Sequence, residues 1–65
     1  MARIGDYITI LYTEDNDLEY WLEEQKQKGI TKHKVIDIDE EGGYIWIENC
    51  DYAIWESGDE YRIYK

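Results

Sequence analysis

The segment VIDIDEEGGYIWI, residues 35–47, decides the fold of this chain. Both of its ends are rich in β-branched and aromatic residues, which favour strands, and its centre is the acidic, glycine-rich stretch EEGG, residues 40–43. Glycine readily takes the positive φ angles that tight hairpin turns need. The segment therefore predicts a β-hairpin whose strands cover residues 31–39 and Tyr44–Ile47.

Side chains alternate between the two faces of a strand. On the first strand of the hairpin, this alternation predicts Ile36 and Ile38 on one face, and Val35, Asp37 and Asp39 on the other. The acidic run lacks the ligand spacing of a calcium-binding loop. It indicates either a solvated hairpin tip or an acidic ridge that binds another protein.

The second strand of the hairpin is expected to separate aliphatic from aromatic side chains. Ile45 and Ile47 are the natural inward residues, which turns Tyr44 and Trp46 outward. Outward aromatic residues surrounded by acids are typical of protein interfaces, where Tyr and Trp anchor the contact. The alternative, in which about half of the aromatic residues of the last three strands fill the core, stays open.

The segments on either side of the hairpin supply the remaining elements. Residues Tyr7–Tyr12 are rich in β-branched and aromatic side chains and predict a first strand. A helix is expected over about 17–28, with Asn16 as its N-cap. Two further short strands are predicted at residues 52–55 and 61–64.

These elements predict a mainly β (α+β) domain over residues 1–65, with five antiparallel strands closed into a small barrel and one helix inserted after the first strand. The order resembles the SH3-like small β-barrel found in short phage and mobile-element proteins. Residues 29–64, with their central hairpin, and residues 5–8 carry the resemblance. Residues 10–17 are similar to the opening of peptide-binding SH3 domains, although this chain has no proline.

Charge indicates the kind of partner. The chain has 16 acidic and seven basic residues, and its formal net charge is -9. A field of one sign selects what approaches, and a strongly acidic protein is repelled by nucleic acid and by anionic membranes. The expected partner is therefore a basic protein surface, such as that of a nucleic-acid-binding protein or nuclease, with no direct binding of nucleic acid and no membrane.

The predicted partner-binding residues are the carboxylates of the hairpin and of the helix start, together with two outward aromatic residues. They are Asp37, Asp39, Glu40, Glu41, Tyr44, Trp46, Glu48, Glu14, Asp15 and Asp17. Spaced carboxylates can imitate the phosphates of a nucleic acid, and aromatic rings can imitate its bases. The alternative is that acidity only confers solubility. Four of the seven cations lie within residues 26–34, which leaves the rest of the surface more acidic.

No residue pattern predicts an enzyme, a metal site or a cofactor. His33, the only histidine, is expected to lie exposed between Lys32 and Lys34, without a recognisable nucleophile. Cys50 is the only cysteine, so it can form no intramolecular disulfide, and neighbouring carboxylates should raise its pKa. One Cys and one His are too few for a structural zinc site.

The expected function is a small acidic inhibitor of the anti-CRISPR or anti-restriction kind, a nucleic-acid mimic. An SH3-like protein- or peptide-recognition adaptor, or a structural module with an aromatic surface patch, is the alternative. The expected location is the cytoplasm of a bacterial host, because no apolar run approaches the roughly 20 residues of a membrane span. The first residues also lack the apolar core of a signal peptide. Whether the chain forms a homodimer stays open.

Overall fold

The computed structural model describes residues 2–64, which form five antiparallel strands and one helix. The outer limits of the predicted domain, residues 1 and 65, lie outside the described residues. The elements in chain order are β1 (Tyr7–Tyr12), α1 (Asn16–Gln27), β2 (His33–Asp39), β3 (Tyr44–Ile47), β4 (Ile54–Trp55) and β5 (Glu60–Tyr64). The predicted mainly β class, with one helix after the first strand, is confirmed.

The strands form one open sheet in the order β4-β3-β2-β1-β5, and all neighbouring strands are antiparallel. The central strand β2 is shared between two halves of the sheet. His33 and Lys34 pair with β1, whereas residues 35–39 pair with β3. The sheet therefore has one half built from β5, β1 and the start of β2, and another built from the rest of β2, β3 and β4.

One face of the sheet forms the core together with one stripe of the helix. Leu18 and Leu22 of α1 are buried in the same cluster as the inward residues of the strands. Burying an aliphatic side chain of this size contributes roughly 1.5–3 kcal/mol. The largest fully buried side chains are Ile8, Leu18, Ile45, Ile47, Ile54 and Val35.

The helix begins one residue earlier than the predicted range of 17–28, because Asp15 is the N-cap and Asn16 is not. The Asp15 carboxylate accepts hydrogen bonds from the backbone amides of Asp17 at 2.9 Å and Leu18 at 3.3 Å. A carboxylate also interacts favourably with the positive end of the helix dipole. Gly29 follows the helix with a φ of +80°, the left-handed conformation that commonly ends a helix.

A β-bulge at Ile36 changes the phase of β2. The residues of β3 opposite Val35 and Asp37 are consecutive, so β2 carries one extra residue between them. Val35 is fully buried, whereas Ile36 is 51% exposed. The predictions that Val35 shares a face with Asp37 and Asp39, and that Ile36 shares one with Ile38, were therefore wrong. The bulge lets Val35 point into the core while both carboxylates point outward.

His33 is buried, with 4% of its surface exposed, so the expectation of an exposed histidine was wrong. Its neighbour across the sheet is the buried Ile8 of β1, and its ring lies 5.2 Å from the ring of Trp21 on the helix. Burial lowers the pKa of His33 below its ordinary value, and the negative charge of Glu48 opposes this shift. His33 is thus part of the contact between the helix and the sheet.

The last two strands differ slightly from their predicted ranges. Strand β4 pairs only at Ile54–Trp55 rather than over 52–55, and β5 begins one residue early, at Glu60. Across residues 2–64, no helix has both the length and the apolar character needed to cross a membrane.

Candidate functional site

Cross-strand pairing brings carboxylates and aromatic rings together on the outward face of the hairpin and β4. Asp37 lies opposite Trp46, and Asp39 lies opposite Tyr44, which in turn lies opposite Trp55. Directly opposed residues of antiparallel strands project from the same face, with Cβ atoms about 4.5–5.5 Å apart. These five residues form two rows across the strands, and we call them the acidic–aromatic face.

The side chains of the acidic–aromatic face remain accessible. Tyr44 is 42% exposed and Trp55 is 45% exposed, while Trp46 is half-buried. The prediction that Tyr44 and Trp46 point away from the core is confirmed. Asp37 and Asp39 are both exposed. A partner that covered this face would bury two large rings and meet two carboxylates.

The turn of the hairpin holds one of these carboxylates in place. Asp39 Oδ1 accepts a hydrogen bond from the Gly42 amide at 3.0 Å, and the Asp39 carbonyl accepts one from the Gly43 amide at 2.9 Å. Gly43 has a φ of +74°. A Cβ atom on Gly42 would lie 2.8 Å from Asp39 Oδ2 and 2.8 Å from Cδ2 of Tyr44. A side chain at position 42 would therefore have to displace Asp39 or Tyr44, and glycine leaves room for the carboxylate beside the ring.

The other predicted hairpin acids lie at the two ends of this face. Glu40 and Glu41 are exposed at the tip of the turn. Glu48 follows the end of β3, where its backbone amide donates to the carbonyl of Lys34 at 3.0 Å. The tip therefore extends the acidic–aromatic face, whereas Glu48 adjoins the other half of the sheet.

A buried carboxylate that sequence reasoning missed joins the helix start to β4. Asp59 is 8% exposed, and its Oδ2 accepts a hydrogen bond from the Trp55 amide at 2.9 Å. Its Oδ1 accepts one from the Glu14 amide at 3.3 Å. The backbone of the predicted site residue Glu14 is therefore joined to β4 through Asp59. The side chain of Asp15 is engaged as the helix cap, where it accepts a hydrogen bond from the amide of Asp17. The turn sequence before Asp59 was the available signal, but turn acids are common in this chain.

The negative charges of the acidic–aromatic face are not neutralised by ion pairs within residues 2–64. One ion pair forms within residues 2–64, between Lys26 Nζ and Glu23 Oε2 at 3.9 Å, and both side chains are exposed. Neither Asp37 nor Asp39 takes part in it. Asp37 and Asp39 therefore face solvent without an ion-pair partner among residues 2–64.

The surroundings of Cys50 disfavour the reactive thiolate form of its side chain. Cys50 is half-buried, and its thiol donates to the carbonyl of Tyr52 at 3.4 Å. Burial is the main cause that raises the pKa of the Cys50 thiol, and the nearby charges of Asp51 and Asp15 raise it further. Among residues 2–64, no three His, Cys, Asp or Glu side chains are grouped closely enough to hold a metal ion.

Comparison with protein-family models, with curated proteins and with solved structures found no match to this chain. Its function is therefore inferred from the geometry and charge of the surface alone.

Proposed function

We propose that this chain is a small acidic binding protein that inhibits a nucleic-acid-binding partner by occupying the partner's basic surface. It would act as a nucleic-acid mimic, in the manner of anti-CRISPR or anti-restriction inhibitors. The observation that carries the proposal is the register that sets Asp37 beside Trp46 and Asp39 beside Tyr44 and Trp55. Charged oxygens beside flat rings offer a cationic groove the same two chemical features as phosphates beside bases.

Two physical effects support binding through this face. The net charge of -9 steers the chain toward positive grooves, and this attraction acts over a Debye length of about 10 Å at 0.1 M salt. After contact, Tyr44 and Trp55 can be buried. The exposed part of each ring is roughly 90 Å² of a 200 Å² side chain, worth about 2 kcal/mol at 25 cal/mol per Å². Charge therefore speeds the encounter, and the rings hold the complex together.

The proposal is tested by capturing proteins from a bacterial lysate with the intact chain at about 50 mM and at about 500 mM salt. Two variants with the same change in net charge are compared. Asp37→Lys with Glu40→Lys reverses charge on the hairpin, and neither side chain holds the turn. Glu24→Lys with Asp51→Lys reverses two exposed charges elsewhere. We expect that the wild type and the second variant capture a nucleic-acid-binding protein at low salt. The first variant should not capture it.

Three results of this capture would contradict the proposal. The first is equal retention of every captured protein by both variants. The second is retention that does not change with salt. The third is a captured set without any nucleic-acid-binding protein. Added duplex DNA should also release the retained protein, since both ligands are proposed to use one basic surface.

A second function, an SH3-like protein- or peptide-recognition module, is favoured by the exposure of the aromatic row. Tyr44 and Trp55 offer apolar area to any partner, whether that partner is charged or not. In this function the rings dominate and distal acids contribute little. Retention would then survive high salt and the Asp37→Lys, Glu40→Lys variant, and would be lost when Trp55 is replaced by Ala.

We further infer that the sheet curls into the partly closed barrel of the SH3-like class. The strand order and the sharing of β2 between β1 and β3 support this inference. An experimental structure with a flat sheet would contradict it. The proposed setting is the cytoplasm of a bacterium that carries a phage or mobile element, where such an inhibitor would meet its nuclease. Labelled protein found outside the host cell would contradict that location.

A further inference from the structure

The half of the sheet that lies away from the hairpin carries an outward cluster of cations and tyrosines. Tyr7 of β1 lies opposite Lys34 on one side and Tyr64 on the other. Lys32 Nζ lies 4.4 Å from the centre of the Tyr64 ring. Arg62, two residues before Tyr64 on β5, is exposed on the same face of the strand. We call these five residues the basic–aromatic face.

Cations are concentrated on this face although the whole chain is acidic. The pKa of the Tyr64 hydroxyl is lowered, first by its hydrogen bond with Thr9 and then by the charges of Arg62 and Lys32. Three of the seven cations of the chain, Lys32, Lys34 and Arg62, belong to the face. Two acids adjoin the face: Glu48 follows the end of β3, where its amide donates to the carbonyl of Lys34, and Glu60 is exposed two residues before Arg62 on the same face of β5.

The two outward faces carry side chains of opposite charge around aromatic rings. Both consist of aromatic residues in cross-strand rows, one flanked by carboxylates and the other by ammonium and guanidinium groups. They lie on different halves of the sheet, because Lys34 of β2 pairs with β1, whereas Asp37 and Asp39 of the same strand pair with β3. A second copy of this chain therefore presents to each face a surface of the opposite sign, with rings that can pack against its own.

We propose that the chain associates with itself head to tail, with the acidic–aromatic face of one copy docked on the basic–aromatic face of the next. Pairing of like faces would oppose charges of the same sign, so the contact joins two different surfaces. Cations that approach Tyr44 and Trp55 also gain cation–π attraction. This inference goes beyond the proposed inhibition, because it requires no outside partner.

The molecule is large enough to carry both contacts at once. Its accessible surface is 4693 Å², and a stable interface takes about 800 Å² from each partner, roughly a sixth of that surface. A chain with one face of each kind forms rings or open rows rather than a closed symmetric pair. Its net charge of -9 also makes copies of the chain repel one another at low salt. Association should be strongest near 0.1 M salt, where a Debye length of about 10 Å screens distant repulsion but not direct contacts.

The test is sedimentation equilibrium of the full chain from about 10 µM to about 1 mM, a range that detects weak association. The wild type is expected to exceed its monomer mass of 7.9 kDa at the higher concentrations. One variant, Asp37→Lys with Glu40→Lys, removes the acidic face and keeps the basic one. Another, Lys32→Glu with Lys34→Glu, does the reverse. Each of these two variants, measured by itself, should raise the dissociation constant of self-association at least about tenfold.

Mixing the two variants is the decisive measurement. Each retains the face that the other lacks, so an equimolar mixture should associate and reach a higher average mass than either variant alone at the same total concentration. The variant with Glu24→Lys and Asp51→Lys should behave like the wild type. Circular dichroism of every variant shows that the fold is retained, and all six altered side chains are exposed. This complementation is specific to a contact between unlike faces.

Three outcomes would overturn the inference. The wild type could remain a monomer throughout the range, the mixture could fail to form a complex, or the Lys32→Glu, Lys34→Glu variant could associate alone. Binding of a fluorescent single-stranded oligonucleotide by the wild type, lost in that variant, would assign the basic–aromatic face to nucleic acid instead. The proposed function and this inference can fail separately. The proposed function predicts that the Lys32→Glu, Lys34→Glu variant still captures the inhibited partner, whereas this inference predicts that the same variant no longer associates with itself.

Discussion

Replacing Asp59 with Ala should destabilise the chain more than replacing any exposed acid. Its carboxylate is buried and accepts the backbone amides of Trp55 at 2.9 Å and Glu14 at 3.3 Å. Alanine leaves both donors without that partner, in the loop before the helix and in an edge strand. The change also removes the attachment between those two segments. The acidic–aromatic face should lose order together with β4.

The magnitude follows from the two hydrogen bonds. A buried donor left unsatisfied costs about 1–3 kcal/mol. The shorter bond to the Trp55 amide should lie high in that range, and the longer one to the exposed Glu14 should lie low, because water can replace it. The sum is about 2–4 kcal/mol. A 65-residue domain has a free energy of unfolding of roughly 3–10 kcal/mol, so this loss is a large share of it.

Urea unfolding followed by tryptophan fluorescence measures this loss, and the melting temperature should fall by roughly 10–30 °C. The control is Asp51→Ala, an exposed acid in a nearby turn, which should change stability by no more than about 0.5 kcal/mol. Asp59→Asn keeps the size and one acceptor oxygen, so it should fall between wild type and Asp59→Ala. If Asp59→Ala costs no more than Asp51→Ala, the carboxylate does not hold these segments together.

Three other changes test separate parts of the structure. The pKa of His33 in the folded chain lies below its ordinary 6.5, so the unfolded chain binds more protons between the two values. The free energy of unfolding is therefore highest above that range and should fall as the pH drops below about 6.5 toward the lower pKa of the folded chain, by at most about 1.4 kcal/mol per pH unit. A His33→Gln variant with the same urea midpoints as wild type at each pH would contradict this. The raised pKa of Cys50 predicts slow alkylation by iodoacetamide at pH 7.5 in the folded chain and fast alkylation in urea; equal rates would refute it. Gly42→Ala should cost about 1–3 kcal/mol in urea unfolding, because its Cβ would press on Asp39 and Tyr44 at 2.8 Å, and an unchanged midpoint would show that the turn yields easily.

Much of the fold was predictable because the strands carry strong local signals. The bounds of Tyr7–Tyr12 and Tyr44–Ile47 match their predicted ranges. Each is a run of β-branched and aromatic residues beside a turn. The helix was misplaced by one residue because Asp15 and Asn16 are adjacent and both are good caps. Only the geometry of the loop before the helix decides between them.

The errors on β2 have a different physical origin. Strict alternation was applied through Ile36, but a bulge depends on the partner strand and leaves no local mark in the sequence. His33 was assigned to the surface because Lys32 and Lys34 flank it. Alternation alone places His33 in phase with the buried Val35, so the signal was present and was outweighed by the neighbouring charges.

The candidate site was only partly predictable. The turn and the alternation of β3 brought Tyr44 and Trp46 into the predicted site, together with the acids of β2. Trp55 belongs to the same face only because β4 pairs with β3 in a particular register. That register and the burial of Asp59 both depend on contacts between segments that are distant in the sequence. Local sequence patterns do not predict such contacts.

The most direct test of the account is a competition for the captured partner between this chain and duplex DNA. The partner is loaded with fluorescent DNA and titrated with one of three proteins. These are the wild type, the hairpin variant that combines Asp37→Lys and Glu40→Lys, and the second variant that combines Glu24→Lys and Asp51→Lys. The wild type and the second variant should displace the DNA completely, and the hairpin variant should require at least about ten times more protein. A ternary complex, in which the partner holds DNA and this chain together, would contradict the account.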